Sequence, residues 1–207
     1  MTQANPAHPR QGLLIVISGP SGAGKGTILR RLFERRQDCV YSVSATTRSP
    51  RPGEVEGKNY HFLSLQTFND WIAQDRFIEW AHHFGAYYGT PRAFVEEQQK
   101  EGKHVVLEID VKGGAEIMAK VPDCVSIFLT PPSWQVLEER LRGRGTEKQE
   151  QIAERLLVAR TELKNMEHYS YTVVNDRIEE AVELVNSIIE AEMARSSRVY
   201  RDKVIQF

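Results

Sequence analysis

The chain predicts an α/β fold: a parallel sheet flanked by helices, with an inserted small α+β subdomain and a helical lid. Three observations lead there. Short runs rich in Val, Ile, Leu and aromatic residues alternate with longer stretches of helical periodicity, as in sheets whose parallel strands are joined by crossover helices. The alternation breaks once, between Ala45 and Thr90, where Phe68, Trp71 and Ile72 recur at helical spacing among short strand-like runs at 60–62 and 77–81. Further on, Gly143 and Gly145 flank Arg144, and Thr146 with Gln149 matches a capping box that opens a charged helix. Glycine hinges before such a helix suit a lid.

Taken in order, the predicted strands of the central sheet span 13–18, 40–44, 105–109, 126–129 and 171–174. Each is nearly continuous in apolar or β-branched residues, which is how a strand reads when both of its faces are covered. Ile28, Leu29, Leu32 and Phe33 form one helical stripe, and Ala181, Val182, Val185, Ile188 and Ile189 form another; both read as core faces without chemistry. The expected layout is a flexible segment at 1–10, a core at 11–44 and 91–195 with its lid at roughly 140–166, an inserted subdomain at 45–90, and a tail at 196–207. Arg195, Arg198, Arg201 and Lys203 give that tail a basic, solvated character.

Composition narrows the function classes. With 207 residues, 41% hydrophobic and 27% charged, the chain has the make-up of an ordinary globule, and Gly 14 with Pro 9 is far from collagen-like or mucin-like levels. Lys+Arg 27 against Asp+Glu 28 leaves a formal charge of -1, so no general basic surface for nucleic acid is expected. The longest strongly apolar run, 13–17, is far too short to cross a bilayer, and a cytoplasmic protein without membrane contact is expected. Cys39 and Cys124 lie far apart without metal-ligand spacing and read as buried thiols. His82, His83, Trp71 and Trp134 form no chemical constellation, and homo-oligomerisation stays open.

The most informative segment follows the first strand directly: Gly19, Pro20, Ser21, Gly22, Ala23, Gly24, Lys25, Gly26 and Thr27, leading into a helical pattern. Its glycines let backbone N–H groups line a concave nest, and the helix turns its positive dipole end toward the same point. A triphosphate fits there, with Lys25 reaching the β and γ phosphates as a mobile point charge. The pattern departs from GxxxxGK[ST] at its last position. Gly26 stands where a magnesium-binding hydroxyl is usual, which leaves Thr27 as the loop's candidate metal ligand, directly or through water.

A second anion site is indicated further along. The segment 42–54 leaves a strand and enters a proline-constrained loop carrying Arg48 and Arg51 three residues apart. Two guanidinium forks at that spacing can clamp one phosphate, and Tyr60 and Tyr88 can add hydroxyl donors without adding charge. Any one of them alone would read as a solvated arginine or a core tyrosine.

At this point the residues resemble guanylate kinases. The match covers the phosphate loop, 44–51, Gly53-Glu54 with Gly57-Lys58-Asn59-Tyr60, Phe77-Ile78-Glu79-Trp80, Tyr87-Tyr88-Gly89-Thr90, Leu107-Glu108-Ile109-Asp110, Gly143-Arg144-Gly145-Thr146-Glu147 and Val174-Asn175-Asp176. The resemblance implies a P-loop fold, phosphorylation of GMP to GDP by ATP, and dependence on Mg2+. It implies that Arg48, Arg51, Tyr60 and Tyr88 hold the GMP phosphate, and that Ser44, Glu79, Thr90 and Asp110 contact guanine or its surroundings. It further implies that lid closure delivers Arg144 and Arg155, and that Asn175 and Asp176 lie near the adenine of ATP. The Gly26-Thr27 pair is the main departure and looks more like adenylate kinases.

The chemistry of the base agrees with this reading. Guanine presents N1–H and an amine as donors and O6 as an acceptor, so a carboxylate beside a hydroxyl complements its edge. AMP offers a lone pair at N1 instead, which makes discrimination on the order of 10⁴-fold attainable. Thr90, before Pro91, reads equally well as a helix cap, and so does Asp176. Glu108 and Asp110 end a buried strand beside the phosphate loop, where they either orient magnesium and its waters or contact the acceptor. The reaction needs no covalent intermediate, because in-line positioning and charge neutralisation by Lys25, Arg48, Arg51, Arg144 and Arg155 account for most of the acceleration. Two rival readings are a phosphopeptide-binding module that has lost its ATP site, against which Lys25 and the lid arginines stand, and a kinase for another small molecule, in which Ser44 and Glu79 would lack a guanine partner.

Overall fold

The computed structural model describes residues 11–83, 85–143 and 149–201. In chain order its elements are β1 (Leu14–Ser18), α1 (Lys25–Arg35), β2 (Cys39–Tyr41), β3 (Ala45–Thr46), β4 (His61–Phe62), α2 (Leu65–Ala73), β5 (Phe77–His83), β6 (Ala86–Pro91), α3 (Arg92–Lys100), β7 (His104–Glu108), α4 (Val111–Lys120), β8 (Val125–Thr130), α5 (Trp134–Arg142), α6 (Gln149–Leu163), β9 (Tyr171–Val174), α7 (Ile178–Met193) and α8 (Ser196–Arg201).

The five predicted core strands form one parallel sheet, ordered β2-β7-β1-β8-β9. Every residue of β1 and β8 is buried. The two-residue period of β1 sends Ile15 and Ile17 to one face, where Ile28, Leu29 and Leu32 of α1 and Val182, Val185 and Ile189 of α7 cover them. It sends Leu14 and Val16 to the other, against Val95 of α3 and Val111 and Ile117 of α4. Fully burying one such side chain contributes about 1.5–3 kcal/mol, so the apolar continuity of these strands is what makes them central.

The strand expected at 40–44 ends earlier, at Tyr41. Ser42 N–H still donates to the Val106 carbonyl at 3.0 Å, but the chain then leaves for a second sheet, ordered β4-β3-β6-β5. In that sheet β6 escapes sequence reading because Ala86–Pro91 carries a glycine and ends in proline, both poor strand signals. Gly89 is needed for packing: a Cβ there would lie 2.9 Å from the Phe77 ring, whose stack on Phe68, at 4.5 Å between centroids, is the heart of the small core. Ser64 caps α2 by accepting from Thr67 N–H at 3.0 Å.

Both cysteines are free and buried, as the sequence indicates. Burial pushes the Cys39 thiol up to about 12 and that of Cys124 to about 11, so neither is a thiolate at neutral pH. Trp71 and Trp134 serve packing, each with a guanidinium over its ring, Arg76 at 4.0 Å and Arg160 at 5.1 Å.

Arg198 corrects the picture of a solvated tail. It is 5% exposed and lies between two carboxylates, with Nη2 donating to Glu192 Oε2 at 3.0 Å and Nη1 to Asp123 Oδ2 at 2.9 Å. Glu192, itself 4% exposed, also accepts from the Tyr171 hydroxyl at 2.5 Å. Burial would raise the Glu192 carboxyl, but the bonds from Tyr171 and Arg198 outweigh it and hold the group below the ordinary carboxylate range. Local sequence hides this because one partner lies 75 positions away. Lys203 lies outside the described residues.

Replacing Arg198 with Ala leaves the buried Glu192 carboxylate with only the Tyr171 hydroxyl and the longer contact from Arg195 at 3.4 Å, a change that costs about 1.5–3 kcal/mol. A thermal melt followed by circular dichroism should fall by roughly 2–4 °C for each kcal/mol lost. An unchanged melt would mean that α8 is not docked in solution.

Candidate active site

The phosphate loop leaves β1, the middle strand, and closes onto the first turn of α1. Two of its glycines are required by the backbone. Gly19 has φ +143°, and a Cβ there would sit 2.0 Å from the Leu129 carbonyl oxygen; Gly24 has φ +89°, and its Cβ would meet Asn175 Nδ2 at 2.3 Å. That approach matters, because buried Asn175 donates from Nδ2 to the Ala23 carbonyl at 2.7 Å and so ties the loop to the end of β9. Arg140 of α5 in turn donates to the Asn175 carbonyl at 3.0 Å. Asn175 thus sits buried against Ala23 and Gly24. Asp176 does not cap α7, whose N-cap position is Arg177.

Lys25 reaches back over the loop, with Nζ donating to the Gly19 and Pro20 carbonyls at 2.6 and 3.3 Å. The loop forms one wall of a cleft of about 1140 Å³. That exceeds the roughly 300–1,000 Å³ of an ordinary single-ligand pocket. Thr27 of the loop, Arg48, Arg51, Tyr60 and Tyr88 of the inserted segment, and Glu108 and Asp110 at and just after the end of β7 all line it. Burial raises the Glu108 carboxyl against the pull of the Lys25 charge.

The part of the lining drawn from the inserted segment is built by local bonding. Thr46 Oγ1 donates to the Tyr87 carbonyl at 2.9 Å and accepts from Arg48 N–H at 3.2 Å, which fastens the arginine loop to β6. The Arg48 guanidinium lies over the Tyr60 ring at 5.4 Å, and the Tyr60 and Tyr88 rings meet edge to face at 5.9 Å. Glu54 takes both ends of the Arg48 fork at 2.9 and 2.8 Å. The sequence shows Glu54 inside a motif, but only the fold shows what it holds.

Glu79 and Thr90 are brought together, paired across β5 and β6. Thr90 Oγ1 donates to Glu79 Oε1 at 2.6 Å, so Thr90 is not a cap; Pro91 holds the N-cap position of α3. Glu79 is 5% exposed and lies beside Gly113 rather than open to the cleft. Burial pushes its carboxyl up to about 7, helped by the negative charges of Glu116 and Asp110 and opposed by the Thr90 bond. Because the folded value lies above the unfolded one, the stability this group contributes is full in acid and is lost as pH rises through about 7. Asp110 Oδ1 caps α4, accepting from Gly113 N–H at 2.7 Å, which leaves its other oxygen for the cleft. Ser44 lies between the two sheets, its carbonyl accepting from His61 N–H at 2.9 Å.

Helix α6 reaches the loop through two residues seven apart on one face. Arg155 Nη1 donates to Ser21 Oγ at 3.4 Å, and Glu162 lies near enough to the Ser21 backbone for that group to lower its carboxyl. Burial raises Glu162, while the Lys25 charge and the Ser21 backbone lower it. Sequence reasoning missed Glu162, whose only signal is its helical spacing from Arg155. Arg144, Gly145 and the Thr146 end of the capping box lie outside the described residues.

A strand–glycine loop–helix turn that shares one cleft with two arginines of an inserted sheet has the build of a P-loop phosphotransferase. Comparison with known proteins narrows this class. The guanylate kinase family model matches residues 11–192. The chain is 50% identical over 189 residues to a guanylate kinase of Caldanaerobacter subterraneus subsp. tengcongensis, covering 91% of this chain and 92% of the relative. It is 50% identical over 198 residues to one of Streptococcus thermophilus, covering 94% and 95%. The crystal structure of guanylate kinase from Anaplasma phagocytophilum matches with a TM-score of 0.75 at 35% identity, covering 91% of this chain and 90% of that one. The chain belongs to the guanylate kinase family.

Gly24→Ala tests how the loop is held. The methyl group collides with Asn175 Nδ2 and strains a left-handed residue, so calorimetry should show ATP affinity falling at least about tenfold while GMP affinity is kept. Equal loss of both affinities would mean general misfolding instead.

Proposed function

We propose that the two anion sites of the cleft hold ATP and GMP end to end, as the activity of the family, transfer of the γ-phosphoryl group from ATP to GMP giving ADP and GDP, requires. The observation that carries this reading is that Lys25 with its loop and Arg48, Arg51, Tyr60 and Tyr88, which come from separate parts of the fold, line one and the same cleft. The loop N–H groups and Lys25 hold the β and γ phosphates, and Lys25 moves from the Gly19 carbonyl toward the transferring group. Arg48 and Arg51 orient the GMP phosphate, whose oxygen attacks in line. That oxygen is already a nucleophile near neutral pH, so no side chain need remove a proton from it. Arg155, and Arg144 with it, then neutralise charge as the phosphoryl group passes.

The base site adjoins the phosphate site on the same strand. Tyr88 and Thr90 are two residues apart on β6, hence on one face and about 6.6 Å apart. Glu79, bonded to Thr90, accepts the guanine N1–H and amine hydrogens, with Ser44 and Asp110 at its surroundings. This role requires an ionised carboxylate, which the burial of Glu79 opposes.

Magnesium fits the donors present. Among the described residues no three His, Cys, Asp or Glu side chains form a metal cage. Thr27, Glu108 and Asp110 instead offer a few hard oxygens at the cleft, which suits an ion that keeps several waters and binds substrate phosphates. Thr27 holds the ion directly or through water, and the two carboxylates orient its waters. The ion supplies charge neutralisation at the β and γ phosphates. A cytoplasmic location belongs to this reading; among the described residues no helix is long and apolar enough to cross a membrane.

A coupled assay offering ATP with GMP, AMP, CMP or UMP tests the function, and preference for AMP would overturn the guanine assignment. The KM for GMP should rise about tenfold from pH 8 to pH 6 as Glu79 takes up its proton, with the KM for ATP changing far less. Glu79→Gln should abolish that pH dependence and weaken selectivity for GMP; retention of the same profile would remove Glu79 from the base site. For the metal, Thr27→Val should raise the Mg2+ concentration for half-maximal rate by about 10-fold or more. A Cβ on Gly26 meets nothing within 4 Å, so Gly26→Ser in that background should fold normally and lower the Mg2+ requirement again.

A further inference from the structure

Glu54 lies between the two arginines of the inserted segment and touches both. Its carboxylate oxygens accept from Arg48 Nη1 and Nη2 in a fork-on-fork pair, with the side chains 17% and 18% exposed. Oε2 also accepts from Arg51 N–H at 2.7 Å, and Glu54 N–H donates back to the Arg51 carbonyl at 3.0 Å. The turn 51–54, with Gly53 at φ +87°, is thereby closed from both sides. The Arg48 bond and the Arg51 N–H hold the Glu54 carboxyl below the ordinary range, so it remains an anion at neutral pH.

A guanidinium has two edges that can grip an oxyanion in bidentate fashion: the end-on pair Nη1 and Nη2, and the side-on pair Nε and Nη2. Glu54 takes the first edge. On the second, Nε is buried without a hydrogen-bond partner, and Nη2 carries a second hydrogen. The Tyr60 and Phe62 rings cover the guanidinium plane at 5.4 and 5.9 Å, so it cannot rotate freely. One donor edge of the fork is therefore held, while Nε on the other has no acceptor among the described residues.

We propose that Glu54 is a positioning residue, which grips the end-on edge of Arg48 and the backbone of Arg51 so that the side-on edge of Arg48 is preset for the acceptor phosphate. The proposal rests on the reading of Arg48 and Arg51 as ligands of the GMP phosphate. Glu54 acts only through the arginines. Its negative charge beside an incoming phosphate is a cost, and holding the arginine before binding offsets it, because rotamer freedom is then lost on folding and not on association.

A double-mutant cycle with Glu54→Gln and Arg48→Lys tests this by steady-state kinetics in both substrates. Glu54→Gln should raise the KM for GMP about tenfold, leave the KM for ATP within about twofold, and keep the thermal midpoint near that of the unaltered protein. Glu54→Asp, which retains the charge, should recover part of the loss. In the Arg48→Lys background Glu54→Gln should add nearly nothing, since no fork remains to be held. Additive losses, an unchanged or lowered KM for GMP in Glu54→Gln, or parallel losses for GMP and ATP would each overturn the proposal. An unchanged KM for GMP in Arg48→Lys would instead overturn the reading of Arg48 as a phosphate ligand, and the proposal with it.

Discussion

Two phosphoryl groups must be brought into contact although they repel, and in the function proposed above that constraint is met by cations that come from separate elements and converge on one cleft. A single pair of unit charges 4 Å apart is worth about 4 kcal/mol in surroundings typical of a protein surface, and several phosphate oxygens are involved. Lys25 comes from the β1–α1 loop, Arg48 and Arg51 from the inserted sheet, and Arg155 from α6. Each has a local partner while it waits. Lys25 rests on the Gly19 and Pro20 carbonyls, Arg48 on Glu54, and Arg155 on Ser21. The folded protein therefore never has to hold a bare cluster of positive charge.

The carboxylates divide by the same logic. Away from the cleft, Glu192 is bound by Arg198 and Asp38 by Arg36, and both are held below the ordinary range. At the cleft and beside it, burial raises Glu108, Glu162 and Glu79. A carboxyl group that ionises with difficulty works against stability near neutral pH, and such groups gather where chemistry needs them. The central sheet carries that cost: its five strands are covered on both faces by aliphatic side chains, and the loop leaves from the middle strand.

Some features were legible at once and others were not, and the difference lies in how far apart the partners are. The phosphate loop reads directly because its constraint is local: positive φ at Gly24 and close approach at Gly19 admit no side chain, and the helix that follows is written in the next turn. The arginine pair, the two tyrosines and Glu79 could be named through ordered motifs. What Thr90 does could not be chosen, since a hydroxyl before proline caps a helix as readily as it bonds a carboxylate across a strand pair; register decided it. That Asn175 ties down the loop could not be read, since the Ala23 carbonyl it binds is 152 positions away.

Taken alone, the order of amino acids determined the class of fold and the family and pointed to two candidate anion sites, because backbone sterics, strand and helix periods and short-range motifs act over a few residues. Tertiary structure alone decided that Glu79 turns to Thr90, that Glu54 grips both arginines, that Arg198 is an interior ion and that Asn175 braces the loop. These choices depend on which distant groups share a low-dielectric interior, where an unpaired charge or hydrogen-bonding group is costly and a partner is selected by position in space.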